Sequence, residues 1–227
     1  MSQNGPESEP PAQAAPPPRE RAFNAPWPPL LLAALIIGLY AWQSRTLDQE
    51  ALYFRFGLVP AQAGQGRWTA LVTSLFVHGG WAHAITNAVG TLAFGAGVAR
   101  LFGTRPAGAA AFFLFFLVCG VLAGWGYVLL KPDLQLPMVG ASGGIAGLFG
   151  AASRVIRSRG RRLTPITHPT VLGVAAAWVV VNLIFALAGG FAPLVGEGAS
   201  VAWEAHLIGY AAGLLLVGPV ARLLGRG

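Results

Sequence analysis

The sequence predicts an all-α membrane protein, a bundle of six transmembrane helices with both termini in the cytoplasm. Three observations predict it. Hydrophobic residues make up 55% of the 227, giving a mean hydropathy of +0.60. Only 10% of residues are charged, against about 25% in an ordinary globular domain. Those charges also avoid the interiors of six apolar segments, as expected where a charge at the bilayer centre costs about 3 kcal/mol or more.

Taken in order, residues 1–28 are rich in Pro, Ala, Gln and Glu and hold no apolar stretch of the signal-peptide kind. They read as a disordered cytoplasmic tail, with residues 29–227 as the membrane domain. The apolar segments follow at Pro29–Gln43, Ala82–Ala99, Ala107–Leu130, Val139–Ala152, Thr170–Gly190 and Ser200–Val220. A span needs about 20 residues, so the first and fourth are short. The first loop, residues 44–81, is long and half apolar, with Leu52, Tyr53, Phe54, Phe56 and Leu58. A loop of that length in a compact protein is functional or membrane-associated.

Positive charges set the orientation. Arg19 and Arg21, then Arg100 and Arg105, then Arg154, Arg157, Arg159, Arg161 and Arg162, and finally Arg222 and Arg226 fall on one side. The opposite side, after the third and fifth segments, carries only Lys131, Asp133, Glu197 and, near the start of the sixth segment, Glu204. The positive-inside rule places the arginine side in the cytoplasm. This arrangement also accounts for the net charge of +7, and no nucleic-acid partner is expected, since no aromatic–basic interleaving accompanies the arginines. The single cysteine, Cys119, excludes a disulfide and a cysteine-based metal site.

With this topology the second, fourth and sixth segments all run from outside to inside, so their N-terminal ends share one depth. Those ends carry His83 and Asn87, then Ser142, then His206. Polar groups at such positions are expensive, which marks them as functional candidates. Ser142 stands just inside a helix start, where unpaired N–H groups and the positive dipole end favour developing negative charge. Gly140, Gly143 and Gly144 allow a tight turn and close approach of a substrate backbone. Ala205, Gly209 and Gly213 form a small-residue stripe beside His206, matched by Gly143, Gly147 and Ala151, and two such stripes let backbones approach closely. His83 and Asn87, four apart, share a helix face and suit an oxyanion hole. His78, at the loop-to-helix junction, reads as structural through hydrogen bonds, and His168 as solvated. A metal site is not expected, because no His-Glu-x-x-His occurs and no carboxylate lies deep inside a segment to complete a ligand set. No cofactor is implied.

These residues resemble the rhomboid intramembrane serine proteases. The matching pieces are His78-x-x-x-x-His83-x-x-x-Asn87, Gly140-x-Ser142-Gly143 and Ala205-His206-x-x-Gly209-x-x-x-Gly213, in that family's order. The resemblance implies a Ser142 nucleophile, a His206 general base, and His83 and Asn87 as oxyanion donors. It also implies cleavage of single-pass transmembrane proteins near the outer leaflet, in a multi-pass protein of the bacterial plasma (inner) membrane. Two departures stand out. Where many members have a Trp-Arg pair in the first loop, this chain reads Arg67-Trp68. Where members carry an aromatic four residues after the serine, it has Ala146, and Glu204 is badly placed to orient His206, so the orienting group stays open.

The alternative is a catalytically inactive relative that binds transmembrane clients, although such relatives usually lack the serine or the histidine. A transporter would need paired mid-membrane ionisable groups or discontinuous helices in repeated halves, and neither is found. The sequence does not encode the oligomeric state.

Overall fold

A computed structural model of the chain describes residues 25–156, 163–187 and 202–226. Helix α1 (Trp27–Thr46) begins two residues before the first expected apolar segment. Pro28 and Pro29 occupy its first turn, where a missing N–H costs nothing. Residues 1–24 of the expected tail lie outside the described residues. Three short helices follow, α2 (Gln49–Phe56), α3 (Pro60–Ala63) and α4 (Ala70–Thr73), then a 3₁₀ turn at Ser74–Phe76. The long helices α5 (Trp81–Phe102) and α6 (Pro106–Leu130), the short α7 (Ser142–Val155), and then α8 (Pro169–Leu187) and α9 (Trp203–Leu223) complete the described fold.

Among the described residues five helices, α1, α5, α6, α8 and α9, are long and apolar enough to cross a membrane. The fourth apolar segment, expected as a span, gives only the 14 residues of α7, about 21 Å at 1.5 Å per residue. Its N-terminus is cut short because the preceding chain is committed elsewhere. Leu58 and Met138 exchange both backbone hydrogen bonds, at 2.9 and 2.8 Å, and the Gly140 N–H donates to the Ser74 carbonyl at 2.9 Å. Gly140 then turns the chain into the helix with φ +117°, a conformation open to glycine and costly for other residues.

Helix α7 sits at the centre, against α5, α6 and α9. Its apolar face meets Phe112 and Phe116 of α6, Val98 of α5 and Val217 of α9 in one buried cluster. Lipid tails are as apolar as leucine, so close packing rather than water exclusion must hold such helices together. Glycines supply it. A methyl group on Gly209 would fall on the carbonyl oxygen of Gly143, and one on Gly213 would fall on that of Gly147. Backbone touches backbone along the α7–α9 seam.

The first loop is a folded layer on α6. Leu58, Ala63, Ala70 and Leu71 bury themselves against Val121 and Val128, and Trp68 stacks on Trp125 with ring centroids 5.0 Å apart. Arg67 ties the layer internally. Its guanidinium donates to the carbonyls of Phe54 at 3.0 Å and Arg55 at 2.6 Å, satisfying the open C-terminal end of α2, and it also bonds the Gln62 side chain. The inverted Arg67-Trp68 order thus still anchors the loop, through the fork of Arg67 and the face of Trp68.

Two residues expected in the fourth loop differ from their expected roles. Arg154 is structural, donating to the Thr164 carbonyl at 3.0 Å and the Leu214 carbonyl at 3.1 Å. His168, expected to be solvated, accepts the Thr170 N–H on Nδ1 at 3.1 Å, because the start of α8 offers unpaired donors. Arg157, Arg159, Arg161 and Arg162 lie outside the described residues, as do Glu197 and residues 188–201 between α8 and α9.

Candidate active site

The first turns of α5, α7 and α9 meet at one end of the bundle, and the polar residues meet with them. Ser142 is the first residue of α7, and His206 lies in the first turn of α9. With α7 and α9 in backbone contact at Gly143–Gly209, the serine Oγ and the imidazole Nε2 are 2.8 Å apart. That is a full hydrogen bond between two side chains 64 residues apart in sequence.

His83 and Asn87 reach the same place from α5. A Cβ built on Gly140 would stand 2.6 Å from Nε2 of His83 and 3.5 Å from Nδ2 of Asn87. Both side chains therefore lie directly against the turn that leads into Ser142. The Gly79 N–H donates to Nδ1 of His83 at 3.4 Å, which leaves Nε2 to carry the proton of the neutral ring. Nδ2 of Asn87 is buried and meets no hydrogen-bond partner among the described residues. Two N–H donors thus face the turn, and no side chain caps the N-terminus of α7. Such free first-turn amides are a ready site for negative charge.

The two candidate substrate glycines differ. Gly140 borders His83 and Asn87, whereas Gly143 is buried, its open side filled by the Ala123 methyl at 2.8 Å from a built Cβ. Gly143 is small so that α6 and α9 can close on α7. Ala205 is buried beside Ala123 and Tyr127 of α6, and Gly209 and Gly213 form the seam already described.

His78 departs from its expected hydrogen-bonding role. Its ring is fully buried, and neither nitrogen meets a partner among the described residues. It acts by packing, edge-on to Tyr40 at 6.5 Å and to His83 at 5.2 Å between centroids. Burial first, and then the neighbouring His83, push its imidazole down to about 3. The buried ring stays neutral.

Two residues of α8 were missed by sequence reasoning. Oδ1 of Asn182 lies 3.1 Å from Nδ1 of His206, and the Trp178 ring lies 6.1 Å from the imidazole, tilted by 37°. The Trp178 Nε1–H also points at the His206 carbonyl at 3.4 Å. Ala146 is buried and brings no ring, so Trp178 supplies the aromatic neighbour from a different helix. A signal for Asn182 existed, since it is a lone amide in an apolar segment, the same reason that singled out Ser142 and His206. Glu204 stays out of the site, paired with Lys131 at 3.2 Å.

A family model described as Rhomboid domain matches residues 65–222. The chain is similar to the putative rhomboid protease YdcA of Bacillus subtilis (strain 168), 27% identical over 151 residues, covering 66% of each protein. It is also similar to the rhomboid protease GluP of the same organism, 27% identical over 124 residues, or 55% of this chain and 22% of that one. The matches therefore span just under two thirds of the first relative and about a fifth of the second.

Proposed function

The chain belongs to the rhomboid family, and from that membership we propose that it is an intramembrane serine endopeptidase with a Ser142–His206 dyad. The observation that carries this reading is the 2.8 Å bond between the Ser142 Oγ and the His206 Nε2. Ser142 Oγ attacks the carbonyl carbon of a peptide bond while Nε2 of His206 takes the hydroxyl proton. The carbonyl oxygen becomes an oxyanion held by Nε2–H of His83, Nδ2–H of Asn87 and a first-turn N–H of α7. The imidazolium returns the proton to the departing amine as the C–N bond breaks, leaving an acyl-enzyme on Ser142. Water, deprotonated by the same imidazole, then releases the acid and regenerates the serine.

The substrates of this reading are single-pass transmembrane proteins cut near the outer leaflet, with the bilayer as the medium. Six spans, α7 counted as the fourth, belong to this proposal, and the arginine distribution supports cytoplasmic termini. They put the dyad on the outer side, within reach of water. The bacterial plasma membrane is the proposed location, in keeping with relatives from a bacterium, and the residues ahead of α1 are proposed as a tail outside the membrane domain.

The test is cleavage of a single-span model substrate by purified protein, wild type beside Ser142→Ala. Loss of cleavage in a folded Ser142→Ala protein, with fluorophosphonate labelling of the wild type alone, supports the reading. Full cleavage by the variant ends it. A wild type that binds the substrate but neither cleaves it nor takes the label would favour the inactive, client-binding alternative.

A further inference from the structure

We propose that Asn182 is a positioning residue that fixes the tautomer and ring plane of His206. This deepens the dyad reading and rests on it. Asn182 is fully buried, although its neighbours Val181 and Leu183 are 40% and 44% exposed. Helix α8 buries little besides Val171 and this amide, so the helix turns its face outward and one polar group inward.

Both ends of the amide are committed. Nδ2 donates to the Trp178 carbonyl at 2.9 Å, and a carbonyl can only accept. That contact fixes which way the amide points, because a flipped amide would set oxygen against oxygen. Oδ1 therefore faces Nδ1 of His206 at 3.1 Å and can only accept from it. A neutral imidazole has one N–H and one bare nitrogen. With the proton held on Nδ1, Nε2 is bare and must accept from the Ser142 hydroxyl. The base is set for its task before any substrate arrives.

Amides in membranes often serve only to join two helices. A joining amide needs only some partner on α9. Here the partner is the nitrogen whose protonation decides whether its ring-mate serves as a base. Once His206 has taken the serine proton, Oδ1 still accepts from Nδ1–H, so the imidazolium keeps its orientation. Such an arrangement orients histidine without a carboxylate, consistent with Glu204 being paired elsewhere.

The test combines spectroscopy with kinetics on the full chain in detergent. In wild-type protein labelled with ¹⁵N-histidine, the His206 resonances should report a protonated Nδ1 and a bare Nε2. Asn182→Leu, which keeps the volume and removes the acceptor, should lower kcat about 100-fold while KM stays within about twofold, as expected for lost alignment at the reacting centre. A protonated Nε2 in the wild type, or a kcat in Asn182→Leu within about twofold of wild type, would overturn the proposal. Should Asn182→Leu fail to fold, the wild-type tautomer decides alone. Cleavage by Ser142→Ala would instead remove the dyad reading, so the two failures are separable.

Discussion

Gly213 of α9 lies so close to Gly147 of α7 that a single methyl on it would occupy the position of the Gly147 carbonyl oxygen. The same contact recurs one turn away, between Gly209 and Gly143, and it sets the separation at which Ser142 and His206 meet. The obstacle is backbone, which cannot rotate aside. Gly213→Ala should therefore push the helices apart, costing about 1–3 kcal/mol in overpacking. Cleavage should fall by about 100-fold as the dyad separates. Thermal denaturation in detergent and a cleavage assay check the two effects, and unchanged activity would show that the seam does not set the dyad distance.

Gly140 combines a left-handed backbone with contact on both proposed oxyanion donors. Gly140→Ala faces a conformational cost of about 1–2 kcal/mol, together with displacement of the His83 ring. Removing a single donor by Asn87→Ala should lower kcat by about 100- to 1,000-fold, while substrate binding changes little. Steady-state kinetics of both variants check this, with Ser142→Ala as the baseline.

Arg67 closes the C-terminal end of α2 through the Phe54 and Arg55 carbonyls. Arg67→Ala leaves these acceptors without their charged donor, at about 1.5–3 kcal/mol. Arg67→Lys should recover only part of this, since one ammonium cannot reproduce a planar fork. Limited proteolysis of residues 44–81 should show earlier cutting in Arg67→Ala, with Arg67→Lys intermediate.

The buried His78 makes stability depend on pH. Its folded value of about 3 lies below the ordinary 6.5 of an exposed histidine, so the unfolded chain binds the extra proton first. The stability that this neutral ring contributes is present above pH 6.5 and is lost as pH falls towards 3, by at most about 1.4 kcal/mol per pH unit. His78→Phe should flatten this part of the profile. Melting temperatures at pH 7, 6, 5 and 4, wild type against variant, are the check, and parallel profiles would refute it.

How far the sequence reaches can be seen residue by residue. Ser142, His206, His83 and Asn87 stood out because each is a polar group near the end of an apolar run, and the chain order of those runs already places them at one end. Arg67 and Trp68 looked like a lost anchor, since linear order carries no information on which carbonyls a guanidinium will reach. The fourth apolar run read as beginning at Val139, whereas its helix begins at Ser142, because hydropathy does not register that Met138 and Gly140 are bonded to the first loop.

Composition and linear spacing were enough for the helical membrane class, the family motifs and the glycine stripes, because hydrophobic periodicity and side-chain volume are properties of neighbours along the chain. Contacts across the bundle alone show where α7 begins, that Gly143 is closed off by Ala123 rather than open to a substrate, and that Asn182 and Trp178 of α8 stand beside His206. Those are contacts between helices, set by the angle and depth at which rigid surfaces meet, and no local spacing encodes them.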